Sequence, residues 1–62
     1  MTNEYTITEA YAGTREYSST HHCTCYSLDV VKAFAKEHRR CDYTEITIEL
    51  GGEVVCVMPS LR

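Results

Sequence analysis

Residues 45–57 read EITIELGGEVVCV, and this run constrains the fold more than any other. Ile46, Ile48 and Leu50 alternate with Glu45, Thr47 and Glu49. That is the period-two pattern of a half-buried strand. Gly51 and Gly52 follow, and paired glycines suit the two-residue primed turn, whose central residues both need positive φ. The chain then returns as an apolar strand over 53–58. A two-residue loop pairs Leu50 with Glu53, Ile48 with Val55 and Ile46 with Val57. This register predicts a core face of Ile46, Ile48, Leu50, Val55 and Val57. It leaves Val54, Cys56 and Met58 on the opposite face, beside Glu45, Thr47 and Glu49. A bulged three-residue loop would reverse the last strand, and the Gly-Gly pair favours the shorter loop.

A second hairpin precedes this one. In EYTITEAY, residues 4–11, Tyr5, Ile7 and Tyr11 share one strand face, and Glu4, Thr6, Thr8 and Ala10 share the other. Residues 12–15, AGTR, read as a turn. Residues 16–26 are rich in Tyr, Thr, Cys and Ser and predict an antiparallel partner strand. Ser27 is a candidate helix N-cap whose hydroxyl would accept a first-turn amide, with Asp29 at the positive end of the dipole. The helix is expected over about 28–39. Leu28, Val31, Phe34, Ala35 and His38 fall on one buried stripe, with Lys32, Lys36 and Arg39 on the solvent side.

The predicted order is therefore β-β-α-β-β. This is an α+β fold, a four-stranded antiparallel sheet with one helix packed on one face. The 62 residues have room for one domain, 1–62, with a small core and modest stability. One helix cannot cover both faces of such a sheet. The open face, with Val54, Cys56 and Met58 on it, is a candidate contact surface, including one between two copies in a homodimer.

The segment HHCTCYS, residues 21–27, gathers two histidines and two cysteines. Structural zinc sites space their thiolates as C-x2-4-C in loops where the ligands converge. On a strand, His21, Cys23 and Cys25 share a face at intervals of ~6.6 Å, with side chains running parallel. A disulfide between Cys23 and Cys25 needs shorter separations than an extended strand provides. A catalytic thiol needs an adjacent base and a walled pocket, and neighbouring strand residues face opposite ways. The expected role is packing. Cys23 and Cys25 fill space under the helix against Val31, Phe34 and Ala35, with His21 at the margin and His22 outward. No metal ligands, cofactor or catalytic residues are assigned, and the chain is read as non-enzymatic.

The formal charge is −3 at pH 7, which opposes general nucleic-acid binding. That charge divides unevenly. The helix and its end present Lys32, Lys36, Arg39 and Arg40. The sheet presents Glu4, Glu45 and Glu49, with Glu9, Glu16 and Glu53 near edges and turns. A basic helix and an acidic sheet can each steer an oppositely charged partner. The candidate partner-binding residues are Lys32, Lys36, Arg39, Arg40, Glu45 and Glu49. Five tyrosines in so short a chain are consistent with binding. The N-terminal run has neither the basic nor the apolar region of a secretory signal, and no stretch approaches the ~20 apolar residues of a membrane helix. The expected location is the reducing cytoplasm of a host cell, with no membrane partner.

The segments YTITEAY (5–11), SLDVVKAFAKE (27–37) and EITIELGGEVVCV (45–57) together resemble small phage-encoded anti-CRISPR proteins with a β-β-α-β-β core. The helix carries the likeness best, through Ser27-Leu28, Lys32, and Phe34-Ala35. The resemblance implies a phage or mobile-element inhibitor without catalysis. Such a protein would dock on an RNA-guided type I surveillance complex and block its DNA-binding surface or lock its shape. Basic residues on the family's helix contribute contacts, which points here to Lys32 and then Lys36. The chain departs from the family in its acidity and in its cysteine-bearing second strand. An acidic sheet could instead stand in for DNA phosphates against a Lys- and Arg-lined groove. The alternative reading is a small zinc-binding or nucleic-acid-binding regulatory module.

Overall fold

A computed structural model describes residues 2–14 and 18–62. The elements are β1 (Asn3–Tyr11), β2 (Ser18–Cys25), α1 (Leu28–Glu37), β3 (Thr44–Leu50) and β4 (Glu53–Met58). The β-β-α-β-β order and the α+β class are as the sequence predicts. Arg15, expected in the first turn, and Glu16 and Tyr17, expected to begin the second strand, lie outside the described residues.

The sheet is antiparallel throughout, in the order β2-β1-β3-β4. The two hairpins join edge to edge through β1 and β3. Tyr5 sits between Cys23 and Leu50, and Ile7 between His21 and Ile48. This register places Tyr5, Ile7, Ile46 and Ile48 on one face, where Val31 and Ala35 of α1 close over them. Ile46, Ile48 and Val31 are fully buried. Each such side chain contributes about 1.5–3 kcal/mol relative to exposure.

The helix is shorter than expected, and its stripe is narrower. It ends at Glu37, with the His38 amide donating to the Phe34 carbonyl at 3.0 Å. Only Val31 and Ala35 are buried; Leu28 and Phe34 are half-buried. His38, expected on the buried stripe, is exposed and stacks on Phe34 with ring centroids 4.3 Å apart. Ser27 is extended, as an N-cap is, but its hydroxyl makes no capping bond; its carbonyl accepts the Val31 amide at 3.4 Å. Tyr11, expected beside Tyr5 and Ile7, is exposed at the end of β1.

The expected register of the last strand is overturned. Gly51 and Gly52 do form the two-residue turn, with φ of 62° and 83°. Leu50 pairs with Glu53 and Glu49 with Val54. The ladder then shifts, and Ile48 pairs with Cys56, Thr47 with Val57 and Ile46 with Met58. Val55 is the extra residue of a β-bulge, and one extra residue exchanges the two faces of everything beyond it. Cys56 and Met58 therefore pack on the core, and Val55 and Val57, expected inside, are exposed. The apolar contribution to the open face is Val54 and Val57, not Val54, Cys56 and Met58.

A second correction concerns Glu9. Two residues beyond Ile7 on the same strand, it shares the core face and is 5% exposed. It lies at neither an edge nor a turn of the sheet.

Candidate partner-binding surfaces

The sheet face away from α1 carries Glu4, Thr6, Thr8 and Ala10 of β1, and Glu45, Thr47 and Glu49 of β3. Strand alternation puts them there once Tyr5, Ile7, Ile46 and Ile48 are fixed inside. A shallow hollow of about 650 Å³ lies over this face, lined by Thr8, Thr47 and Val54 with Glu45 and Glu49 among its walls. Four residues of extended chain hold the two glutamates ~13 Å apart, at ~3.3 Å per residue. Val54 and Val57 stand about half exposed at the β4 side, 52% and 50%. At the β2 side His22 shares a hydrogen bond with the Thr6 hydroxyl at 3.4 Å. The result is an acidic and hydroxyl-rich surface with an aliphatic margin.

The opposite side carries the basic pair of α1, together with exposed Asp29 and Glu37. Lys32 and Lys36 are exposed on α1. They flank a groove of about 360 Å³ whose floor includes Met58, Pro59 and Leu61. Arg39 adjoins the same groove but is half-buried and already committed. Its Nε donates to the Cys41 carbonyl at 3.1 Å, and its Nη2 to the carbonyls of Pro59, at 3.0 Å, and Thr44. Because the helix ends before Arg39, the guanidinium folds back over the loop instead of lying on the solvent stripe. Arg40 has an exposed side chain beside His21, Phe34 and His38. The structure thus brings Lys32 and Lys36 together on one side and Glu45 and Glu49 on the other.

The Arg39 contacts belong to a polar hub that the sequence reading missed. The Glu9 carboxylate accepts the Arg40 amide at 3.1 Å and the Cys41 amide at 3.2 Å, both on Oε2. Oε1 accepts the Arg40 amide at 3.3 Å. The Thr44 hydroxyl lies 2.5 Å from Oε2 and 2.8 Å from the Cys41 carbonyl, and its one proton serves either. Buried polar groups persist when they are paired in this way. The C-terminal residues close the hub, with the Leu61 amide donating to Asp42 at 2.8 Å and Arg62 paired with Asp42 at 3.4 Å. The available signal for Glu9 was its parity with Tyr5 and Ile7.

The histidine and cysteine segment is split by strand alternation. His22 lies on the open face, and His21, Cys23 and Cys25 lie on the helix side. Cys23 and Cys25 pack against the core cluster, as expected. Their sulfurs nevertheless converge to 3.0 Å, closer than parallel side chains on a strand were expected to come. The hydrogen bond with Cys25, aided by burial and by repulsion from a Cys25 thiolate, pushes the Cys23 thiol above its ordinary range. All four cysteines are free thiols. Among the described residues no group of three or more His, Cys, Asp or Glu could hold a metal ion, and no helix is long and apolar enough to cross a membrane.

Comparison with protein-family models, curated proteins and solved structures finds no match.

Proposed function

We propose that this is a non-enzymatic binding protein of phage or mobile-element origin that inhibits a host defence complex, in the manner of an anti-CRISPR protein. The observation that carries the reading is the uncovered sheet face with Glu45 and Glu49 around one hollow. Among the described residues the single helix packs on the other face, and no second element covers this one. Its carboxylates suit a cationic surface, and its hydroxyls and exposed valines supply hydrogen bonds and apolar area around them. RNA-guided complexes hold nucleic acid in positively charged channels. A rigid acidic face seated there competes with DNA phosphates for the same lysines and arginines.

The test is direct competition. A purified type I surveillance complex from the host is titrated with the protein, and capture of target duplex is followed by mobility shift. The expected result is stoichiometric loss of duplex binding, weakened when Glu45 and Glu49 are both changed to Lys. Unchanged duplex capture at saturating protein would overturn the reading.

A second contact is favoured by one further observation. Lys32 and Lys36, the positions that the family resemblance singles out, flank the groove over Met58, Pro59 and Leu61. Cations above an apolar floor suit an acidic segment of the same complex.

A further inference from the structure

Cys23 and Cys25 are half-buried free thiols on the helix-facing side of β2, with sulfurs 3.0 Å apart. At ~3.3 Å per residue their Cα atoms stand about 6.6 Å apart. That spacing falls just inside the roughly 4.4–6.8 Å that a disulfide spans, which corrects the expectation that an extended strand holds them too far apart. β2 is also an edge of the sheet, paired only with β1 among the described residues. Its backbone can draw in by a fraction of an ångström without disturbing an interior strand.

We propose that Cys23 and Cys25 form a dithiol site for thiol–disulfide exchange, closing to an intramolecular disulfide with a small-molecule disulfide such as oxidised glutathione as the oxidant. A thiolate from one cysteine attacks a sulfur of the oxidant. A protein–glutathione mixed disulfide forms, the glutathione disulfide breaks, and one glutathione leaves and takes up the displaced proton. The second cysteine, losing its proton, attacks the protein-side sulfur. The Cys23–Cys25 bond forms, the mixed disulfide breaks, and the second glutathione leaves as a thiol. Two electrons and two protons pass from the cysteine pair to the oxidant. Closure near the geometric limit strains the bond, and strained disulfides are the easily reduced ones. Excess reduced glutathione therefore runs the exchange backwards. The bond forms where Cys25 pairs with Asn3, just ahead of the helix start at Leu28, so oxidation reshapes that end of β2.

The test uses a Cys41→Ser/Cys56→Ala background, in which only the pair remains. With oxidised glutathione, free thiols are expected to fall from two to none. The intact mass should drop by two hydrogens, no glutathione should be retained, and the loss should map to the tryptic peptide 16–32. Reduced glutathione in excess should restore both thiols. Adding Cys25→Ser should trap one glutathione on Cys23. Two separate glutathione adducts on the pair, or two persistently free thiols, overturn the proposal. If the background variant does not fold, the wild-type chain gives the same reading. Its free thiols then fall from four to two, and any linkage from 23 or 25 to 41 or 56 overturns the proposal.

Discussion

The Thr44 hydroxyl lies 2.5 Å from the Glu9 carboxylate, across 35 residues of sequence. The contact ties the end of β1 to the start of β3, and the same carboxylate holds the Arg40 and Cys41 amides that carry the chain out of the helix. Removing the acceptor strands the two amides, while the Thr44 hydroxyl keeps the Cys41 carbonyl as its acceptor. Glu9→Ala should cost about 3 kcal/mol, whereas Thr44→Val, which removes one donor and keeps the shape, should cost about 1–2 kcal/mol. Urea denaturation midpoints at constant slope measure both. A Glu9→Ala variant within ~0.5 kcal/mol of wild type, the range of an ordinary surface change, would show that the hub contributes nothing.

The register shift at Val55 makes an asymmetric prediction for its neighbours. Cys56 packs on the core and Val57 does not. Val57→Asp should cost about 1 kcal/mol, from lost strand propensity. Cys56→Asp should cost about 2 kcal/mol more, because an unpaired carboxylate is desolvated. Thermal unfolding of the two variants side by side is sufficient. A larger loss at position 57 than at 56 would restore the regular hairpin and move Val55 and Val57 inside.

The helix offers a comparison between two side chains of different size and burial. Val31 is fully buried and Phe34 only half-buried, so area lost, not side-chain size, should govern the outcome. Val31→Ala and Phe34→Ala should each cost about 2 kcal/mol, the second well short of the ~3–5 kcal/mol of a core phenylalanine. Denaturant midpoints decide it, and a Phe34→Ala loss above ~4 kcal/mol would mean that the ring is a core residue after all.

What the sequence revealed and what it hid follow from the range of each signal. Ile46, Ile48 and Leu50 alternate with polar residues, so their faces could be read from one strand alone. Val54 to Met58 are all apolar, so no alternation marks where an extra residue enters. The bulge is set by pairing with β3, which local pattern does not report. Glu9 had the parity of a core residue, but its backbone donors lie 31 and 32 residues away in a loop with no periodicity. The helical periodicity runs on to Arg39 while the helix stops at Glu37, since local pattern defines a helix end only to within one or two residues. Lys32, Lys36, Glu45 and Glu49 depend only on local periodicity, and the structure puts them where that periodicity implies.

Cys23 makes a pH prediction. The Cys25 hydrogen bond raises its thiol above the ordinary value of 9.0, so the folded state favours the protonated form. The stabilisation is complete below that ordinary value and is lost as pH rises through the higher folded one. Alkylation by iodoacetamide, which needs the thiolate, should therefore lag at Cys23 relative to unfolded chain near pH 9. Cys25→Ala should shift the onset to lower pH. Mass mapping of the 16–32 peptide across pH provides the readout, and an onset that Cys25→Ala leaves unmoved would remove the hydrogen bond as the cause.

Charge reversal separates the two sides of the molecule in the proposed complex. Glu45 and Glu49 share the open face, and Lys32 and Lys36 share the helix, so each pair can be inverted without touching the other. The lysines are exposed and the glutamates half-buried. Reversal should therefore cost each double variant at most about 1 kcal/mol of stability. Glu45→Lys/Glu49→Lys should weaken binding to the surveillance complex by tenfold or more, because it sets like charge against like in the groove. Lys32→Glu/Lys36→Glu should weaken binding only where the second contact forms. Wild-type binding should also decline with added salt, and the glutamate reversal should flatten that dependence, since screening acts on the same charges. Circular dichroism confirms that both variants are folded. Two folded double variants that inhibit like wild type would exclude both faces as the contact.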